Sequence, residues 1–158
     1  MMIKVIAIGN TLMSDDGIAI KVVDNIHEDL EKLGIKCVKA ETDFNFALDN
    51  IECGDFIFIV DSTLFNLNCG QITQISLNKV DKYSKHLLSA HNMNLIWLIN
   101  NMGVDVKGII LGIEIHDIKF GIKISDGLER KFSEICNAVF RIIKEKSLEC
   151  YKEGKSNA

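Results

Sequence analysis

The chain contains no proline, no long apolar run, no surplus of basic residues and no C-x-x-C pair. The missing proline carries no functional reading. The apolar runs VIAI, FIFIV and GIILGI fall far short of the roughly 20 residues that a membrane helix needs, so neither a span nor a membrane partner is expected. Eighteen Lys and Arg stand against 22 Asp and Glu, for a net charge of −4 and a pI near 5.5. Such a balance lacks the concentrated basic face that binds a phosphate backbone, which argues against nucleic acid as a partner. The cysteines, Cys37, Cys53, Cys69, Cys136 and Cys150, form an odd set that suits neither a disulfide framework nor a zinc ribbon or finger. They read as reduced thiols of a core. Nothing near Met1 resembles a secretory leader, since a single lysine precedes a short, strand-like apolar segment, and a cytoplasmic protein is expected.

What is present fits an ordinary globular fold. With 47% hydrophobic and 25% charged residues, the 158-residue chain is long enough to bury a core of its own. A single α/β domain over 1–150 with a frayed tail over 151–158 is expected. Residues 2–8 read as a buried strand. Residues 17–33 read as a helix whose apolar positions are Ile18, Ile20, Val22, Val23, Ile26, Leu30 and Leu33, closed by Gly34. A second strand is predicted at about 35–40, then a short helix with Asp43 as its N-cap, then a strand over 55–61 that is apolar at almost every position. The alternation in GQITQISL at 70–77 suits an edge strand, a position that an antiparallel strand can take. A helix over 91–102, a strand over 106–115 and a closing helix from 126 to about 149 complete the pattern. The expected fold is a three-layer α/β/α sandwich around a mostly parallel five-stranded sheet.

In such folds the loops at the carboxyl ends of the strands share one edge, where ligands bind. Three segments deliver reactive groups to it: Asp15 and Asp16 in GNTLMSDDG, Asp61 at the end of FIFIVD, and His91 at a helix start. Asp61 ends an apolar run, so its carboxylate needs a cation or hydrogen-bond donors to stay ionised. Two carboxylates and a neutral imidazole suit a borderline divalent ion such as nickel or zinc, with positions left open. Simpler readings stand beside this one: Asp15 or Asp16 as a helix cap, Asp61 as a turn cap, and His91 as an ordinary helix residue. His86 and His116 are rival ligands, and His27 reads as solvated on the polar side of the first helix. A nucleotide is disfavoured, because GNTLMSDDG lacks both G-x-G-x-x-G spacing and a lysine. A serine triad from Ser62 or Ser89 with His91 lacks the G-x-S-x-G elbow.

The same residues resemble the signature of the hydrogenase maturation endopeptidases, over residues 2 to about 145. Gly9 and Asn10 match a strand ending in G-N, and Asp15, Asp16 and Gly17 match a D-[DE]-G helix start. Asp61 matches an Asp closing an apolar strand, Ser89 and His91 match an S-x-H helix start, and GIILGIEI resembles the last strand. The resemblance implies that Asp16, Asp61 and His91 are the metal-binding and catalytic set. It implies an α/β/α fold about a five-stranded sheet and an endopeptidase that removes a C-terminal extension from a nickel-iron hydrogenase large-subunit precursor after nickel insertion. Nickel is then recognised in the substrate, and zinc or cadmium are ions that the same site would accept. A monomer is expected.

One departure is marked. The family's D-G-G-T-x-G loop is replaced by Ala40-Glu41-Thr42-Asp43-Phe44-Asn45, in which only Thr42 is retained. Glu41, Thr42 and Asp43 are the candidate substrate-binding loop, with Glu41 or Asp43 taking over the lost acidic role. Ala19 also replaces a usual glycine. A noncatalytic nickel-sensing or chaperone-like factor on the same scaffold is the alternative. A peptidyl-tRNA hydrolase-like reading is disfavoured by the acidic pI.

Overall fold

A computed structural model describes residues 1–79 and 90–156, side chains at 90–93 and 153–156 excepted. Strands β1 (Ile3–Ile8), β2 (Lys36–Glu41), β3 (Phe56–Thr63), β4 (Ile72–Ser76) and β5 (Lys107–Glu114) alternate with helices α1 (Ile18–Lys32), α2 (Phe44–Asp49), α3 (Ala90–Asn101) and α4 (Asp126–Ser156). Short 3-10 turns lie at Ser14–Gly17 and Leu77–Lys79. The sheet order is β2-β1-β3-β5-β4, parallel except for β4, which pairs antiparallel with β5 at one edge. β1 and β3 are apolar on both faces because helices cover both, whereas β4 keeps the alternation of a half-covered edge.

Side-chain alternation divides the core in two. Val5, Ala7, Phe58 and Val60 meet α1 and α4 on one face of the sheet. Ile6, Ile8, Ile57 and Ile59 meet Ala47 of α2 and Leu95 and Ile99 of α3 on the other. The three layers and the edge strand agree with the sequence reading. Asp43 also caps α2 as expected, accepting from the Phe46 amide at 2.9 Å. Among the described residues no helix is long and apolar enough to cross a membrane.

Several details differ from the sequence reading. The two adjacent aspartates sit in a 3-10 turn, and α1 begins only at Ile18. α4 does not stop near 149 but runs to Ser156. No proline interrupts the segment, although Gly154 weakens it, and Lys146 and Glu149 pair at 2.8 Å along it. The cysteines are not uniformly core residues: Cys136 is buried, Cys37, Cys69 and Cys150 are half-buried, and Cys53 is exposed. His27 is half-buried, its Nδ1 lying 2.7 Å from the Asp24 carbonyl oxygen of its own helix.

At the amino edge of the sheet Lys4, only 2% exposed, pairs with buried Asp55 at 2.6 Å. Asp55 also accepts from the amides of Met2 and Glu52, each at 3.0 Å. Burial alone would raise the Asp55 carboxyl, but the Lys4 ammonium and these amides outweigh it and hold the group below the usual carboxylate range. Its stabilising contribution is therefore present above the unfolded value of about 3.9 and is lost as pH falls through the lower folded value. Asp55→Ala, which strands a buried ammonium, is expected to lower the unfolding free energy at neutral pH by about 3–5 kcal/mol. In urea unfolding the gap to the unaltered protein should narrow as pH is taken below about 4. An unchanged gap at low pH would contradict this account.

Candidate active site

The site begins where β1 ends. Gly9 has φ +141°, and a Cβ there would lie 2.3 Å from the carbonyl oxygen of Asp16 and 3.9 Å from Oδ1 of Asp61. Only a residue without a side chain lets the Ser14–Gly17 turn fold back against the strand end. The fold-back is held by the Asn10 amide, which donates to Asp16 Oδ2 at 3.0 Å, while the Leu12 amide donates to Asn10 Oδ1 at 3.0 Å.

The adjacent carboxylates then take different tasks. Asp15 is fully buried and accepts from the Ser125 amide at 2.6 Å, the Ser125 hydroxyl at 2.9 Å and the Asp117 amide at 3.2 Å. It ties the loop after β5 to the turn before α1. Asp16 is turned instead towards β3, where the Ser62 hydroxyl donates to its Oδ1 at 2.6 Å. Along β3, Asp61 shares a face with Ile57 and Ile59, and Ser62 shares the opposite, α1-facing side with Phe58 and Val60. The Ser62 amide donates to Asp61 Oδ1 at 2.8 Å. Asp16 and Asp61 both lie at the carboxyl edge, each bonded to Ser62, and both are buried.

Three further residues take roles here that the sequence does not assign to them. Ser62, considered there only as a nucleophile, is 3% exposed and has its hydroxyl committed to Asp16. A hydroxyl directly after a strand-end aspartate was the available signal. Glu114, fully buried at the end of β5, accepts from Thr63 Oγ1 at 3.0 Å and from the amides of Phe65 and Leu67 at 2.9 and 3.2 Å. It fixes the loop that leaves β3. Ser125 anchors the loop after β5 on Asp15.

His91 is the second residue of α3, and its side chain lies outside the described residues, as do Ser89 and His86. The carboxyl end of α3 is at the amino edge of the sheet, where Val104 N donates to Ile99 O and Gly54 N to Asp105 O. At about 1.5 Å per residue the helix rises from there towards the carboxyl edge, on the sheet face that Asp61 shares. Among the described residues no three His, Cys, Asp or Glu converge as a metal site. The rival His116 is exposed, with Nε2 3.0 Å from the Leu67 carbonyl oxygen.

Glu41, Thr42 and Asp43 are exposed at the end of β2. Glu41 has φ +52° and accepts from the Gly9 amide at 2.9 Å through its carbonyl oxygen. The left-handed conformation that a glycine would take without strain is thus kept with a side chain in place, and the Glu41 carboxylate reaches Thr11 Oγ1 at 3.5 Å. Thiol chemistry has no support here. Burial pushes the Cys37 and Cys136 thiols up to about 11, with Glu31 adding to the effect at Cys37. Burial and nearby Asp15 also raise Cys69.

In an open, mostly parallel sheet the carboxyl edge, where these carboxylates lie, is the place at which ligands bind. The chain belongs to the hydrogenase maturation protease family: the profile of that family, HycI, matches residues 20–142. It is thereby a hydrolase of the endopeptidase kind. Its fold is similar to the [NiFe] hydrogenase maturation protease HybD from Thermococcus kodakarensis, at 22% identity over 90% of this chain and 99% of that one, with a TM-score of 0.68. It is also similar to the hydrogenase maturating endopeptidase HybD from Escherichia coli, at 18% identity over 92% and 94% of the two chains, with a TM-score of 0.73. The endopeptidase HycI from Escherichia coli is 20% identical over 92% and 90%, with a TM-score of 0.67. No curated protein matches the chain by sequence. Asp61 and His91 lie inside the matched range, whereas Gly9 to Asp16 precede it.

The division between Asp15 and Asp16 is measurable. Asp15→Ala should cost about 3 kcal/mol in chemical unfolding, because it leaves buried amides unpaired, and Asp16→Asn about 1 kcal/mol or less. Equal losses would contradict the assignment of one carboxylate to structure and the other to the site.

Proposed function

We propose that this chain removes the C-terminal extension of a nickel-iron hydrogenase large-subunit precursor once nickel has been inserted. In this reading Asp16, Asp61 and His91 face the metal, and Glu41, Thr42 and Asp43 face the approaching polypeptide. The observation that carries it is the buried Asp16–Ser62–Asp61 unit at the carboxyl edge, in a chain of this protease family.

The donor set fits the ion. Two desolvated carboxylates favour a cation more strongly than exposed ones would, and oxygen donors with one imidazole nitrogen suit nickel, zinc or cadmium. Nickel arrives as part of the substrate, and when present it polarises the scissile carbonyl as a Lewis acid. The residues of the chain do the rest. Ser62 holds Asp16 in one orientation, the fold-back at Gly9 keeps Asp16 beside Asp61, and a carboxylate of the pair takes the proton of the attacking water. No protein nucleophile is needed. The protein works in the cytoplasm as a monomer on the precursor.

The test is incubation of the purified protein with nickel-loaded and nickel-free precursor, read by mass spectrometry. Only the loaded form should lose mass. Asp16→Asn, Asp61→Asn and His91→Ala should each slow cleavage by at least about 100-fold, and Cys53→Ser should leave it unchanged. Equal cleavage of both precursor forms would remove the nickel requirement, and wild-type rates in all three site variants would remove the site. Binding without cleavage would leave the nickel-sensing alternative.

A further inference from the structure

Four large apolar side chains stand in solvent on the loop before the Ser14–Gly17 turn and on the loop after β5: Leu12 is 54% exposed, Ile118 48%, Phe120 85% and Ile122 66%. They belong to two loops joined by main-chain bonds. Met13 and Gly121 form a parallel β-bridge in which Ser14 N donates to Gly121 O at 2.7 Å and Gly121 N donates to Leu12 O at 2.9 Å. Ser14 Oγ adds a bond to Lys123 O at 2.8 Å. Buried Asp15 draws in both ends of the same segment through the Asp117 amide and Ser125. The backbone beneath these side chains is therefore fixed, and the paired loops form an exposed ridge that carries all four.

We infer that this ridge is the docking surface for the protein substrate, binding an apolar segment of the polypeptide next to the bond presented to Asp16 and Asp61. The inference rests on the function proposed above. Continuity with the site selects the occupant, because the loop that carries Leu12 is the loop whose Asn10 amide holds the Asp16 carboxylate. A second copy of this chain seated on the ridge would cover the carboxyl edge and close the site. The neighbouring charge is matched locally, Lys119 Nζ lying 2.9 Å from Asp117 Oδ2, so apolar contact provides the attraction. Beyond Ile122 lies a groove of about 610 Å³ in which Lys21, Lys123, Asp126 and Glu129 stand beside Ile124 and Phe132, so it offers room for a side chain with a polar end rather than more apolar surface.

The experiment uses the full chain and the nickel-loaded large-subunit precursor of the host organism's hydrogenase. Phe120→Ser, and Ile122→Ser as a second variant, should raise KM for cleavage by about 10-fold or more while kcat at saturation changes less than about 2-fold, the pattern of lost uniform binding. Titration calorimetry should show the same loss in precursor affinity, with nickel binding by the isolated variant and its unfolding midpoint unchanged. Phe120→Leu should restore most of the affinity. Wild-type protein that binds the precursor without cleaving it, with binding lost in Phe120→Ser, would overturn the proposed activity and leave the docking surface standing. Cleavage with unchanged KM in both serine variants would overturn the docking surface and leave the activity. A wild-type dimer in sedimentation that Phe120→Ser dissolves, or a wild-type protein that does not bind the loaded precursor at all, would also overturn it.

Discussion

The architecture of the site depends on the close approach at Gly9. The Asp16 carbonyl lies 2.3 Å from where a Cβ would be, which is possible only at a glycine. Without that approach the turn before α1 could not fold back onto the end of β1, and Asp16 would not reach the Ser62 hydroxyl on β3. Strain is shared around the same edge, since Ser14 and Glu41 both hold positive φ values. Backbone conformations that the core would not choose are gathered where the candidate chemistry sits.

Buried carboxylates elsewhere are each satisfied by protein donors and serve the frame. Asp15 holds the loop after β5, Glu114 the loop after β3, and Asp55 clasps Lys4 at the far edge of the sheet. Asp16 and Asp61 differ in sharing a single residue, Ser62, as a donor to both. A frame that holds two desolvated carboxylates through one serine leaves little reorganisation for the moment at which a ligand binds there.

Much of this was legible in the residues. The continuous apolar character of β1 and β3, the alternation of β4, the 3.6-residue stripe of α1 and the Asp43 cap are local signals, and each led to the right element. What was not legible is non-local. The resemblance singles out Asp16 over Asp15, but the bonds that set the two carboxylates apart run to Ser125, 110 residues away in sequence, and to Ser62, 46 residues away. The anchoring by Glu114 was hidden in a strand that read as plain core. The positive φ of Glu41 follows from the register shift between β1 and β2 after Ala7, which no local pattern reports. α4 outlasts its own apolar stripe, so its end at Ser156 carries no periodic signal.

The central claim is that Asp16 and Asp61 form one metal-facing site with His91, which α3 carries towards the same edge. Anomalous diffraction from crystals of the protein soaked with cadmium tests it most directly. The account predicts one ion at the carboxyl edge, held by an oxygen of Asp16, an oxygen of Asp61 and a ring nitrogen of His91. An ion held instead by His116 or by the cysteines, with Asp16 and Asp61 left out of its coordination, would contradict it.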